Sequence, residues 1–127
     1  MLRAYDHDSA QSLVPYLESI TLELKERRHE IRVLESAIDR LQRTDGPSTE
    51  IGDLRAALAN HRFEFRLALE ELERLGCSVD EHKPFRVLIP GADGSLVGGF
   101  AYELSLADPS SLRLDSLDPS DQGAHAV

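Results

Sequence analysis

The sequence predicts a mainly α fold of α+β class: a long antiparallel two-helix coiled-coil hairpin with a small C-terminal β-hairpin packed at its open end. Three observations carry this expectation. Two stretches place apolar residues in alternating steps of three and four, a short run of helix breakers separates them, and the last third changes to strand-forming runs around a glycine turn.

The first stretch reads Leu13, Leu17, Ile20, Leu24, then Ile31, Leu34, Ile38 and Leu41, with Arg27 as the one polar step. The second reads Ile51, Leu54, Leu58, His61, Phe65, Ala68, Leu72 and Leu75. Steps that average 3.5 residues keep one narrow seam facing a partner helix. Between the stretches lies Thr44-Asp45-Gly46-Pro47-Ser48-Thr49. Gly46 is suited to the left-handed conformation that ends a helix, Pro47 forbids continuation, and Ser48 or Thr49 can cap the next N-terminus. So short a connection makes the helices antiparallel neighbours. With Leu41 opposite Ile51, the register pairs Ile38 with Leu54, Leu34 with Leu58, Ile31 with His61, Arg27 with Phe65, Ile20 with Leu72 and Leu17 with Leu75. Arg27 and His61 break the apolar run within one turn of each other. They are either a polar site or a register-fixing layer in which Arg27 covers the Phe65 ring or reaches solvent.

The expected helices run over about 6–43 and 50–75, within a hairpin unit of 1–78. Asp6 or Asp8 supplies the first N-cap, and Asp8 with Gln11 resembles a capping box. Pro15 removes one helical hydrogen bond, so a kink is expected there. At 1.5 Å per residue the helices are about 57 Å and about 39 Å long. The first therefore overhangs the second, and something must cover Leu13, Val14 and Leu17.

Gly76 ends the second helix. Pro84 to Pro90 and Leu96 to Leu104 read as strands around the turn Gly91-Ala92-Asp93-Gly94, within a unit of 79–106. Phe85, Val87 and Ile89 alternate onto one face of the first, and Phe100, Tyr102 and Leu104 onto one face of the second. A lone two-stranded hairpin is marginal in water, so it should pack on the helical overhang. Gly98-Gly99 marks a bulge or a close backbone approach; with no helix following, a phosphate cradle is the weaker reading. Residues 107–127 have the Asp, Pro and Ser content of an irregular acidic tail, with Leu112, Leu114 and Leu117 as local anchors.

With these segments in view, the chain resembles the small bacterial family catalogued as domain of unknown function 2203. The resemblance rests on Tyr5-Asp6 to Ala10-Gln11-Ser12-Leu13-Val14-Pro15-Tyr16-Leu17, on Leu72 to Leu75-Gly76-Cys77 with Val79, and on the Pro84 to Pro90 strand. In outline it covers residues 5–104. Beyond the Pro84 to Pro90 strand, Tyr102 stands where the family has a tryptophan, Asp115 where it has a histidine and Ala124 where it has an arginine, while Leu117, Asp118 and Gly123 correspond. The resemblance implies a fold and no established activity.

Composition narrows the function further. The net charge is −9, and no stretch concentrates lysine and arginine without interleaved acids, which disfavours nucleic acid and anionic membranes. No apolar run approaches the roughly 20 residues that span a bilayer, and the start lacks the apolar core of a secretory signal. One cysteine fits a reducing cytoplasm. No nucleophile elbow, P-loop or dinucleotide fingerprint is present, so no cofactor is expected and the reading leans away from an enzyme. Zinc needs three or four convergent ligands. The candidates are Asp6, His7, Asp8, Cys77 and His82 near the open end, which cap and loop chemistry explains as well. Leu22, Val33, Phe63 and Leu67 lie off the main seam, and a homodimer forming a four-helix bundle would bury them. Two alternatives stand beside this interaction or scaffold protein. One is a metal- or small-ligand-binding module at the open end; the other draws on the acidic tip Asp45, Glu50 and Asp53, similar to factors that insert a coiled coil into RNA polymerase.

Overall fold

Capping chemistry sets where each helix begins and ends. The structure, a computed structural model, describes residues 4–80 and 86–103 and the backbone of 113–116. Helix α1 spans His7–Arg43 and helix α2 spans Ser48–Arg74. Asp6 is the N-cap of α1. Its carboxylate accepts the Ser9 N–H at 2.8 Å, and the Ser9 hydroxyl accepts the Asp6 N–H at 2.9 Å. The capping box is thus Asp6 with Ser9, not Asp8 with Gln11, because a cap at Asp6 puts Ser9 at the third helical position. Asp8 falls in the first turn, where its charge complements the helix dipole. The helix continues through Pro15, and Gln11, whose carbonyl loses its partner, is exposed to water.

At the tip the Gly46 N–H donates to the Leu41 carbonyl at 2.7 Å. The left-handed residue is Asp45, with φ 51°, rather than Gly46; aspartate tolerates that region better than most residues. Gly46 is needed for space instead, since a Cβ there would come within 2.7 Å of Leu41 Cδ2. Pro47 takes the N-cap position of α2 without a side-chain cap, and its φ of −57° lets the helix start at Ser48, two residues earlier than expected. At the other end of α2, Gly76 adopts φ 79°, its N–H donates to Glu73 and the Cys77 N–H donates to Leu72, both at 2.9 Å. That pair of bonds is a Schellman motif, and it turns the chain sharply towards the sheet.

The sheet has four antiparallel strands in sequence order, not two: β1 (Ser78–Val79), β2 (Arg86–Ile89), β3 (Phe100–Glu103) and β4 (Arg113–Ser116). Val87 pairs with Val79 on one side and Tyr102 on the other, and Tyr102 pairs with Leu114. β3 starts at Phe100 rather than Leu96 because Gly98 turns at φ 79° and Gly99 passes so close to the Ile89 carbonyl that no Cβ would fit. β4 forms inside the segment expected to be irregular. Phe85, Leu104, Leu112 and Leu117 lie outside the described residues.

The two helices pack against each other, and every seam position from Leu13 to Leu41 and from Ile51 to Leu75 is buried or half-buried. The main core sits at the open end. There Ala10, Val14, Leu17, Ile20 and Leu24 of α1 and Ala68 and Leu72 of α2 meet Cys77, Val87, Ile89 and Tyr102. The sheet therefore covers the overhang, as its apolar face requires. Leu88 and Ala101 point the other way and form a small second cluster with Leu96. Among the described residues no helix is long and apolar enough to cross a membrane.

Leu17 is fully buried where α1 meets the sheet, whereas Leu34 is half-buried on the two-helix part alone. Leu17→Ala should cost about 3 kcal/mol of unfolding free energy, and Leu34→Ala clearly less. Urea unfolding followed by helical circular dichroism measures both, and equal losses would deny the sheet its role as the lid of the overhang.

Candidate functional site

Three regions hold the side chains that could do chemistry or bind a partner. At the open end, the Tyr5 hydroxyl donates to the Leu75 carbonyl at 2.8 Å and the Tyr5 N–H to the Gly91 carbonyl at 3.3 Å. This ties the start of the chain to both the exit of α2 and the turn after β2. Asp6 is occupied as a cap, and the Ser9 N–H, then the Ser9 hydroxyl, hold its carboxyl below the ordinary carboxylate value. His7 meets the Phe100 ring edge-on, with centroids 5.9 Å apart. Its Nδ1 lies 4.0 Å from Asp8, and both side chains are largely in solvent. Cys77 is buried in the core, where desolvation pushes its thiol up to about 12. Burial of this kind disfavours the thiolate, the form that attacks electrophiles and binds metals. Among the described residues no group of three or more His, Cys, Asp or Glu side chains is arranged to hold a metal ion; His82 lies outside them.

A second ionic feature escapes the sequence pattern. Asp80, with its side chain wholly buried, faces Arg86 at 3.2 Å, and the Asp80 N–H donates to the Arg86 carbonyl at 2.9 Å. The two residues clamp the mouth of the β1–β2 connection. Nearby in the core, the Tyr102 hydroxyl is buried and, among the described residues, meets no partner within hydrogen-bond distance. Burial raises its pKa; neighbouring Thr21 offsets part of the rise and the Glu18 charge adds to it. The Thr21 hydroxyl itself donates to the Leu17 carbonyl at 2.8 Å.

Midway along the hairpin, Arg27 does not cover Phe65. Its Nη1 bonds His61 Nδ1 at 3.0 Å and its Nε bonds Glu23 at 3.0 Å. Arginine has only donors, so His61 accepts through Nδ1 and is neutral in this arrangement. The polar layer joins the two helices one turn off the facing pair.

Outside the seam, position along the heptad sorts the charges. Lys25, Arg28, Arg32, Arg55, Arg62 and Arg66 fall on one flank of the hairpin, interrupted by Glu18, Glu35, Asp39 and Glu73; Glu35 bonds Arg62 across the helices at 2.9 Å. Glu23, Glu26, Glu30, Glu64 and Glu71 fall on the opposite flank, which also carries Arg40 and Arg74. On that acidic side Glu23, Glu64 and Glu71 surround a groove of about 290 Å³ floored by Ile20, Leu67 and Ala68. Of the apolar residues read as off-seam, Val33, Phe63 and Leu67 are exposed, at 48%, 47% and 37%, with the Arg66 guanidinium 5.7 Å over the Phe63 ring. Leu22 instead packs against the core. Phe63 and Leu67 are neighbours one turn apart on α2, while Val33 stands apart on α1. Tyr16, at 59%, is a further exposed aromatic that the seam pattern did not single out.

These features define a helical-hairpin protein with a sheet-capped open end and distinct acidic, basic and apolar outer surfaces. The chain belongs to the family of uncharacterized conserved proteins DUF2203, whose sequence profile matches residues 3–94. The match takes in both helices, β1 and β2, and ends before β3, so the family's polar ending, compared above at Tyr102, Asp115 and Ala124, lies beyond it. No curated protein and no solved structure matches the chain.

Two measurements check this chemistry. Because the folded thiol of Cys77 titrates above its free value of 9.0, folding stability tied to it is complete below about pH 9 and falls as pH rises towards 12. Native protein should react with a thiol reagent at pH 8 only at the rate of unfolding, and Cys77→Ala should flatten part of the alkaline stability loss. Asp80→Ala should cost about 3 kcal/mol, as expected when one member of a buried ion pair is removed. A thermal shift near zero would mean that the pair is in effect solvated.

Proposed function

We propose that this is a non-enzymatic interaction or scaffold protein that works through its helical hairpin and self-associates. The observation that supports it best is the set of large apolar side chains, Val33, Phe63 and Leu67, left exposed on a two-helix rod whose own seam is already filled. A rod of this kind buries one face of each helix and presents the rest of its length to partners. A metal- or small-ligand-binding module at the open end draws less support, since Asp6 is engaged as a cap and Cys77 is buried and protonated. For that reading, thermal shifts with zinc and other divalent ions on the full chain are the direct test.

For self-association, sedimentation equilibrium of the full chain should give an apparent mass that rises with concentration from 14.1 kDa towards twice that value. A mass fixed at one chain up to millimolar concentration would remove it.

A further inference from the structure

We infer that the Arg27–His61 contact is a pH-sensitive latch between the two helices, closed while the imidazole is neutral and released when it gains a proton. The latch acts within one chain and does not depend on self-association. Arg27 Nη1 lies 3.0 Å from His61 Nδ1, and Arg27 Nε lies 3.0 Å from Glu23 on the preceding turn of α1. A guanidinium has donors alone, so the cross-helix bond exists only while Nδ1 offers a lone pair. Glu23 thus holds the arginine, and the arginine holds the opposite helix. Both partners of that bond are partly withdrawn from water: the Arg27 side chain is 27% exposed and His61 is half-buried. A second cross-helix bond, from Arg62 to Glu35, is exposed and involves no group of the kind that changes charge between pH 5 and 8.

A proton on Nδ1 turns the acceptor into a second cation 3.0 Å from the first, and like charges held that close in a half-buried seam repel. The charges around the ring do not cancel this. Lys25, Glu26, His29 and Glu30 of α1 line the same hollow, of about 490 Å³, and all four are exposed. Arg28 beside Arg27, Arg62 beside His61 and Glu64 one turn along α2 are the other charges at this level. Solvent screens the exposed groups, and among the described residues no carboxylate forms an ion pair with His61. Glu30 and Glu64 stand on the flank, so a charged ring drawn to either one leaves Arg27. The folded chain therefore holds the neutral ring, while the unfolded chain leaves it free to charge. More protons are bound in the unfolded state, so stability falls as pH falls, over the range between about pH 8 and pH 5 in which histidines charge.

Urea unfolding of the full chain at about pH 8 and about pH 5, at one protein concentration, tests the latch against H61Q and R27M. Glutamine also offers Arg27 an acceptor but does not titrate, and the other histidines are common to every variant. On acidification the unfolding equilibrium constant of the wild type should rise about tenfold more than that of H61Q, the scale of a hydrogen bond to a charged group. With R27M the imidazole has no cation to oppose, so the excess of R27M over the double variant R27M/H61Q should vanish. Nitrogen NMR of the native imidazole, which needs no unfolding, should show His61 gaining its proton at lower pH in the wild type than in R27M. Equal acid losses in the wild type and H61Q would overturn the latch, as would a His61 ring that charges at the same pH with and without Arg27.

Discussion

The inequality of the two helices governs the rest of the fold. α1 has 37 residues and α2 has 27, so one end of α1 has no helical partner for its apolar face. Left bare, Ala10, Val14 and Leu17 would expose a hydrophobic surface at the end of a rod, a standing invitation to aggregation. The Schellman turn at Gly76 sends the chain back along that end, and the inner faces of β2 and β3 supply Val87, Ile89 and Tyr102 to close it. A short sheet that would be marginal alone gains its stability from the helix, and the helix end gains its partner from the sheet. Neither half is expected to hold its shape without the other.

Within this frame the buried polar groups are few and each has a structural consequence. Arg27, Glu23 and His61 interrupt the seam where the two-helix rod meets the sheet-covered end. An apolar residue at position 27 would pack more tightly, but the layer penalises any slip of one helix along the other, because a shifted Arg27 would lose its acceptor. Asp80 and Arg86 fix the β1–β2 register in the same way. Tyr102 is the exception: among the described residues its hydroxyl finds no bond in the core, a cost that the large buried ring offsets.

Most of the helical architecture was legible because the seam repeats over many turns, and one misplaced residue cannot disguise it. The tip and the need for a lid followed from Pro47 and the unequal lengths. What escaped were features that depend on a single residue's competition with its neighbours. Ser9 took the place expected of Gln11 because the cap settled on Asp6, and the left-handed turn fell to Asp45, a residue type that tolerates it, rather than to Gly46. β1 and β4 are too short or too polar to announce themselves and exist through pairing with strands that the pattern did reveal. At the candidate sites, a cluster such as Asp6-His7-Asp8 reads the same whether it caps or ligates, and only the hydrogen bonds separate the two.

Charge gives the sharpest instance of what one dimension hides. Along the sequence, acids and bases alternate so closely that no basic or acidic region stands out, and the net value of −9 seems to describe the whole surface. The helix rotates each residue by about 100° from the last, so neighbours in sequence such as Lys25 and Glu26, or Arg66 and Leu67, point to different sides. Interleaving in the chain thereby becomes partial segregation in space, with most arginines along one flank of the hairpin and most of the remaining glutamates along the other. The basic flank remains a poor match for a polyanion because Glu35 and Asp39 stand within it and Arg62 already pairs with Glu35.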